Sequence, residues 1–262
     1  VSWNLTKIPK IVHFFWDNRP LSFLRWMSMC SFSVLNPDWK IKMHMTHDAA
    51  DANWSWANNK HSFESGDYRS WLDRVDNLEV IEENSFPGMH GVHQSDILRS
   101  RYLINDGGLW SDVDILYYRS MNDLTCNLES NFSEETGLCV SNSWLPIAFM
   151  LAEPGSKYFR AVYEKQLTLL PKKHRAYQVF GTGIYRSVLA RGFSHFKIDK
   201  QEVYQHHWRD HERIFNGHVD NSRGVGIHWF GGSTSAAKVE PKMTHENWES
   251  FPLSKLIEIG LG

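Results

Sequence analysis

The chain has 262 residues, 42% of them hydrophobic and 14% aromatic, which excludes disorder and suffices for a sizeable core. A formal charge of −2 removes any general attraction to nucleic acid or anionic lipid, so an anion bound here must be held by a local site. Cys30, Cys126 and Cys139 are scattered and form no CxxC pair, which argues against a disulfide framework or a structural zinc site. With no membrane-spanning apolar run and no secretory leader in the sequence, the expected location is the cytoplasm. The Asn-x-Ser/Thr triplets at Asn4, Asn53 and Asn131 are then chance matches.

In chain order, IPKIVHFFW at 8–16 reads as a buried strand. LSFLRWMSMCSFSVL at 21–35 has apolar residues recurring at three and four, the pattern of a helix, which Asn36-Pro37 stops. WKIKMHM at 39–45 alternates as a strand, so the first forty-five residues form a βαβ unit and imply a parallel sheet. Residues 48–77 are polar, with Trp54, Trp56 and Trp71 interspersed, and read as loop and short helices; 78–81 is a short strand. A helix over 93–105 closes on Asp106-Gly-Gly, and a strand follows over 109–117. Further strands are expected at 137–140, 147–152 and 225–230, and helices at 156–170 and 181–191. No repeat or linker divides the chain, so one domain over 1–262 is expected.

Chemistry concentrates in QSDILRSRYLINDGGLWSDVDILYY, 94–118. On a strand, Asp112 and Asp114 would share a face with Val113 opposite, and two carboxylates on one face call for a cation between them. Oxygen ligands at this spacing suit Mg²⁺ or Mn²⁺ with positions left for water and phosphate oxygens. Asp96 and Arg99 lie one helical turn apart on the preceding helix, and Trp110 alternates onto the face of the two aspartates.

SDILRSRYLINDGGLWSDVD resembles the signature of the DXD sugar-transferase family, which includes outer-chain α-1,6-mannosyltransferases and capsular glycosyltransferases. It is also similar to the glucosyltransferase domains of large clostridial toxins. IPKIVHFFW, NPDW, SNSWLPIAFMLAEPG and IHWFGGS are similar to that group's other blocks, so the resemblance spans about 7–235. GTGI at 181–184 departs from the family's T-G-P. The resemblance implies a GT-A fold, an α/β nucleotide-sugar-binding sheet that is mixed, mostly parallel and flanked by helices. It also implies a metal-dependent transfer from a UDP-sugar, with GDP-mannose as the alternative, to a glycan or polysaccharide acceptor with retention at the anomeric carbon. Carried over by position, Trp16 would stack on the base with His13 or Phe15 nearby. Asp96 and Arg99 would hold the sugar, and Asp112 would meet ribose, sugar and metal. Asp114 and His228 would ligate the metal, and Trp229 or Ser233 would meet the β-phosphate.

Two acids on one strand cannot easily flank both faces of a sugar ring, which disfavours glycoside hydrolysis. The alternatives left open are a non-catalytic nucleotide-sugar or glycan-binding module on the same fold, and a metal-dependent phosphohydrolase. His206, His207 and His211 have zinc-like spacing but polar neighbours and no intervening Glu, and read as solvated surface. One or two of the surplus tryptophans could offer a flat face to an acceptor sugar.

Overall fold

A computed structural model describes residues 7–50, 66–127, 136–140, 145–170 and 177–262. Trp54, Trp56, Trp144 and the three Asn-x-Ser/Thr sites lie outside these residues.

The elements run β1 (Ile11–Trp16), α1 (Phe23–Leu35), β2 (Lys40–Met45), β3 (Ala49–Ala50), β4 (Leu78–Glu82), β5 (Met89–His90) and α2 (Gly91–Asn105). They continue as β6 (Gly108–Ser111), β7 (Ile115–Tyr117), β8 (Cys126–Asn127), β9 (Thr136–Leu138), β10 (Phe149–Ala152), α3 (Lys157–Leu167) and α4 (Thr182–Leu189). The C-terminal part holds β11 (Phe196–Ile198), α5 (Glu212–Phe215), β12 (Gly226–His228), α6 (Thr234–Val239) and α7 (Ser254–Leu261). An eight-stranded mixed sheet has the order β4-β2-β1-β6-β10-β9-β11-β8. Its first half, β4-β2-β1-β6, is all parallel, as the opening βαβ unit requires, and β10 then runs antiparallel to both neighbours.

Local chemistry explains the boundaries. Ser22 caps α1 by accepting from the Arg25 N–H, and Asn36 closes it by donating from backbone and side chain to the Phe32 carbonyl. At the end of α2, Gly107 and Gly108 have φ of +67° and +90°. A Cβ on Gly108 would lie 2.3 Å from the Ile11 carbonyl oxygen, so glycine is what lets β6 pair closely with β1. Alternate residues of β1 feed two separate cores. Val12, Phe14 and Trp16 pack with α1 and α7, whereas Phe15 joins Leu98, Trp110 and Phe159 on the side of α2, α3 and α4. The sheet is thus the middle of three layers.

One expected element is corrected. The strand foreseen over 109–117 is two strands belonging to different sheets, with a turn at 112–114 between them. The Ile115 N–H donates to the Asp112 carbonyl at 3.3 Å, and β7 leaves the main sheet to pair antiparallel with β12. The Asp112 N–H still donates to the Ala148 carbonyl, so the break falls immediately after Asp112.

Candidate active site

Because β1 and β6 are parallel, Trp16 and Asp112 both leave the sheet at its carboxyl edge. The turn after Asp112 and the β7–β12 pairing bring Asp114 to His228. Asp112, Asp114 and His228 each offer a ligand atom within 4.8 Å of the others, the one such group among the described residues. The aspartates therefore meet through a turn and a partner 114 residues away, and not through strand alternation. His228 Nε2 lies 3.2 Å from Asp114 Oδ1, and the Gly231 N–H donates to Asp114 Oδ2 at 2.7 Å. Asp112 Oδ1 accepts from Arg99 Nη2 and from Trp110 Nε1, both at 2.9 Å. Trp110 thus stands beside the carboxylates as its register implies, although it is fully buried.

Arg99 and Asp96 are both buried, and Arg99 Nη1 lies 3.5 Å from Asp96 Oδ1. The Arg99 Nε and Nη1 groups, like His228 Nδ1, are buried without a hydrogen-bond partner. Polar groups left without a partner at this depth are costly. Burial pushes the Asp96 carboxyl up to about 7; Arg99 opposes this and Asp112 adds to it. Burial also acts to raise Asp114, but His228, Arg25 and the Gly231 N–H outweigh it and hold this carboxyl well below the usual range. Asp96 and Asp114, each tied to Asp112 by a charge or ligand contact, are therefore driven in opposite directions by their surroundings.

The remaining foreseen residues fall into two groups. His13 is fully buried, with Nε2 3.0 Å from the Gly107 carbonyl and Nδ1 3.0 Å from His44 Nε2, and Phe15 packs in the second core. Both are engaged within the fold and are not gathered around the acids. Trp16 is buried at the edge, with the Arg25 and Arg19 guanidiniums 4.5 and 5.0 Å from its ring centre. Trp229 lies under the same Arg25 at 5.0 Å, and its buried Nε1 has no hydrogen-bond partner. The Ser233 hydroxyl caps α6 by accepting from the Ala236 N–H. Elsewhere, each member of the His206, His207 and His211 cluster has a local role: His206 meets the His218 carbonyl, His207 caps a turn, and His211 meets Ser235. Trp26, Trp71 and Trp248 line a separate groove of about 410 Å³ that includes none of the residues around the acids.

Sequence reasoning missed Tyr177, Tyr204 and Arg25. Burial raises both phenols, and Asp112 and Asp114 act on each of them, which places the two tyrosines around the acids. The Tyr204 ring is 5.3 Å from that of His228. Gly181, in the loop where the sequence departs from T-G-P, rests on Asp96, since a Cβ there would lie 2.9 Å from Asp96 Oδ2. The polar residues of α2 (His93, Gln94, Asp96, Arg99 and Ser100) were visible in the sequence, but that all five are buried is shown only by the structure.

Comparison with solved structures decides the fold. The PaToxG glycosyltransferase superposes with a TM-score of 0.51 at 13% identity, over 97% of this chain and 86% of that one. The glycosyltransferase GlyE of Streptococcus pneumoniae TIGR4 does so with a TM-score of 0.55 at 13% identity, over 96% of this chain. The fold is that of the GT-A glycosyltransferases. This chain spans 62% of the GlyE chain, and an apo form of GlyE gives a TM-score of 0.56 over the same shares. No protein-family model and no curated protein sequence matches. Among the described residues no helix is long and apolar enough to cross a membrane.

Proposed function

We propose that the protein is a metal-dependent glycosyltransferase that takes a hexose from a UDP-sugar, or from GDP-mannose, and passes it to a glycan or polysaccharide hydroxyl. The observation that carries this is the meeting of Asp112, Asp114 and His228 at the carboxyl edge of the sheet, where open α/β sheets bind their ligands.

The donor set fits Mn²⁺ or Mg²⁺. Two carboxylates and one imidazole suit a hard-to-borderline divalent ion. Asp114 Oδ1 and His228 Nε2 stand 3.2 Å apart and all three ligand atoms lie within 4.8 Å of one another, so Asp112, Asp114 and His228 would be the residues to hold it. When bound, such an ion offsets the charge that develops on a departing nucleoside diphosphate without a proton transfer.

The chain's own groups complete the reading. Asp114 stays ionised because His228, Arg25 and the Gly231 N–H favour its charge against burial, so it is ready to ligate. Arg99 fixes the Asp112 rotamer through Nη2 and has Nε and Nη1 left for sugar hydroxyls or phosphate oxygens. Asp96, raised by burial toward neutrality, can accept from or donate to a sugar hydroxyl. Tyr177 and Tyr204, whose phenols feel the charges of Asp112 and Asp114, and the Gly181 loop against Asp96 would limit water at the anomeric carbon. Retention of configuration is the outcome expected from the family resemblance. Trp16 would stack on the base once the half-exposed Arg19 side chain moves off its ring.

The test is incubation with UDP-glucose, UDP-galactose and GDP-mannose in Mn²⁺ and in chelator, followed by analysis of the nucleotide released. Mn²⁺-dependent release of nucleoside diphosphate from one donor supports the proposal. Release of nucleoside monophosphate points to a phosphohydrolase, and tight Mn²⁺-dependent binding without release points to a binding module.

A further inference from the structure

We propose that Arg25 is a positioning residue that couples the nucleobase end of the donor site to its metal corner. This rests on the glycosyltransferase reading and deepens it, because nothing in that reading requires the two ends to be linked through the protein.

Arg25 lies on α1, away from the acidic motif in sequence, and its side chain is buried. Its Nε donates to Glu240 Oε1 at 2.6 Å and its Nη2 to Glu240 Oε2 at 3.2 Å, while the Ser22 hydroxyl donates to the same Glu240 at 2.6 Å. Its carbon centre stands 4.5 Å from the Trp16 ring centre and 5.0 Å from that of Trp229. One planar cation thus touches the end of β1, the segment after β12, and the residue that follows α6.

The segment after β12 is also the back wall of the metal corner. The Trp229 N–H donates to the Asp114 carbonyl at 2.9 Å and the Gly231 N–H to its carboxylate at 2.7 Å. Between them Phe230 takes a φ of +53°, a left-handed conformation uncommon for a bulky residue, which the surrounding contacts must hold in place. A Cβ on Gly231 would lie 2.4 Å from Arg25 Nη2 and 3.2 Å from Asp114 Oδ2, so Arg25 packs directly behind this segment. Any shift of the Trp16 ring on base stacking moves a group in contact with Arg25, and Arg25 in turn bears on the segment that holds Asp114 and His228. A lysine has no planar fork with which to grip Glu240 bidentately while lying against two indoles.

A double-mutant cycle reads the link directly. Binding of UDP at fixed Mn²⁺ is measured by titration calorimetry for the wild type, Trp16→Ala, His228→Ala and the double variant. The four measurements are repeated in an Arg25→Met/Glu240→Met background, which removes both members of the buried pair so that neither charge is left alone. Thermal unfolding confirms the folded state, and Arg25→Lys serves as the background if the apolar pair does not fold. The expected result is that, in wild type, the double variant departs from the product of the single losses by about tenfold, and that in the Arg25-free background the product holds within about threefold. Additive losses in wild type overturn the proposal, as does coupling of equal size without Arg25. Wild-type protein that binds neither UDP nor GDP in Mn²⁺ overturns this proposal and the glycosyltransferase reading together, whereas binding without coupling overturns only the role of Arg25.

Discussion

Two buried polar clusters flank α2, and they differ in how completely they are paired. In the first, the Tyr102 hydroxyl and Arg101 donate to Glu83, and the Tyr102 ring stacks 3.7 Å from that of His44. The His13–Gly107 bond requires a proton on His13 Nε2, because a carbonyl only accepts. A neutral His13 then accepts at Nδ1 from His44 Nε2, which leaves a single lone pair, on His44 Nδ1, without a partner. In the second cluster, Arg99 keeps two nitrogens unspent, His228 keeps one, and the carboxyls of Asp96 and Asp114 are pushed in opposite directions. A fully paired polar network adds rigidity to a fold, and under the proposed function the open one keeps its spare groups for the donor.

The comparison can be broken most sharply at the open cluster. Asp114→Ala is expected to abolish donor turnover and Mn²⁺-dependent donor binding, a loss of at least about 3–4 kcal/mol in transition-state stabilisation. Asp112→Ala should abolish turnover while retaining part of the nucleotide affinity. Nucleotide release and titration calorimetry check both, and full activity of either variant in chelator would remove the metal from the account. Next in size, Arg99→Met leaves Asp96 and Asp112 without the cation between them and should cost about 3 kcal/mol of stability, read by urea unfolding.

The closed cluster makes a prediction in pH. Burial lowers His13 to about 4 and His44 to about 2, with His13 and Lys42 also acting on His44. The unfolded chain binds protons at these two sites from about pH 6.5 downward and the folded chain does not, so stability falls as the pH drops below that value. Each histidine contributes a slope of about 1.4 kcal/mol per pH unit until its folded-state value is reached. Asp96, raised in the folded state, acts in the opposite sense between about pH 4 and 7. Subtracting the curve of a His13→Gln/His44→Gln variant from that of the wild type cancels this opposing term. A flat difference between pH 6 and 4 would show that the pair is not held neutral. The smallest expected effect is at Trp16, where Trp16→Ala should weaken UDP by about 1–3 kcal/mol if the base stacks there. Unchanged affinity would leave Trp16 a packing residue.

Features encoded by neighbouring residues were legible in the sequence. The β1–α1–β2 unit, the Asn36-Pro37 stop and the glycine closure of α2 each depend on a few adjacent side chains, and the structure places them as expected. What the sequence concealed are meetings across long stretches of chain. The break after Asp112 follows from β7 pairing with β12, and alternation of residue types at 109–117 carries no trace of a strand more than a hundred residues away. Arg25 and Glu240 are 215 positions apart and leave no periodic signal. The family resemblance put His13 or Phe15 near the base, and it gave no hint of the His13 contacts with Gly107 and His44, which only the sheet order brings together. Asp96 and Arg99 were legible as a pair from helical spacing, but the depth of their burial was not.

The break after Asp112 also has a mechanical consequence. Asp112 is the tail of a strand in the large sheet, whereas Asp114 and His228 belong to a small ribbon alongside it. An ion held by all three would act as a rivet between two pieces whose strand ladders are separate. Mn²⁺ alone, without any nucleotide, should therefore raise the melting temperature of the wild type and leave that of Asp114→Ala unmoved.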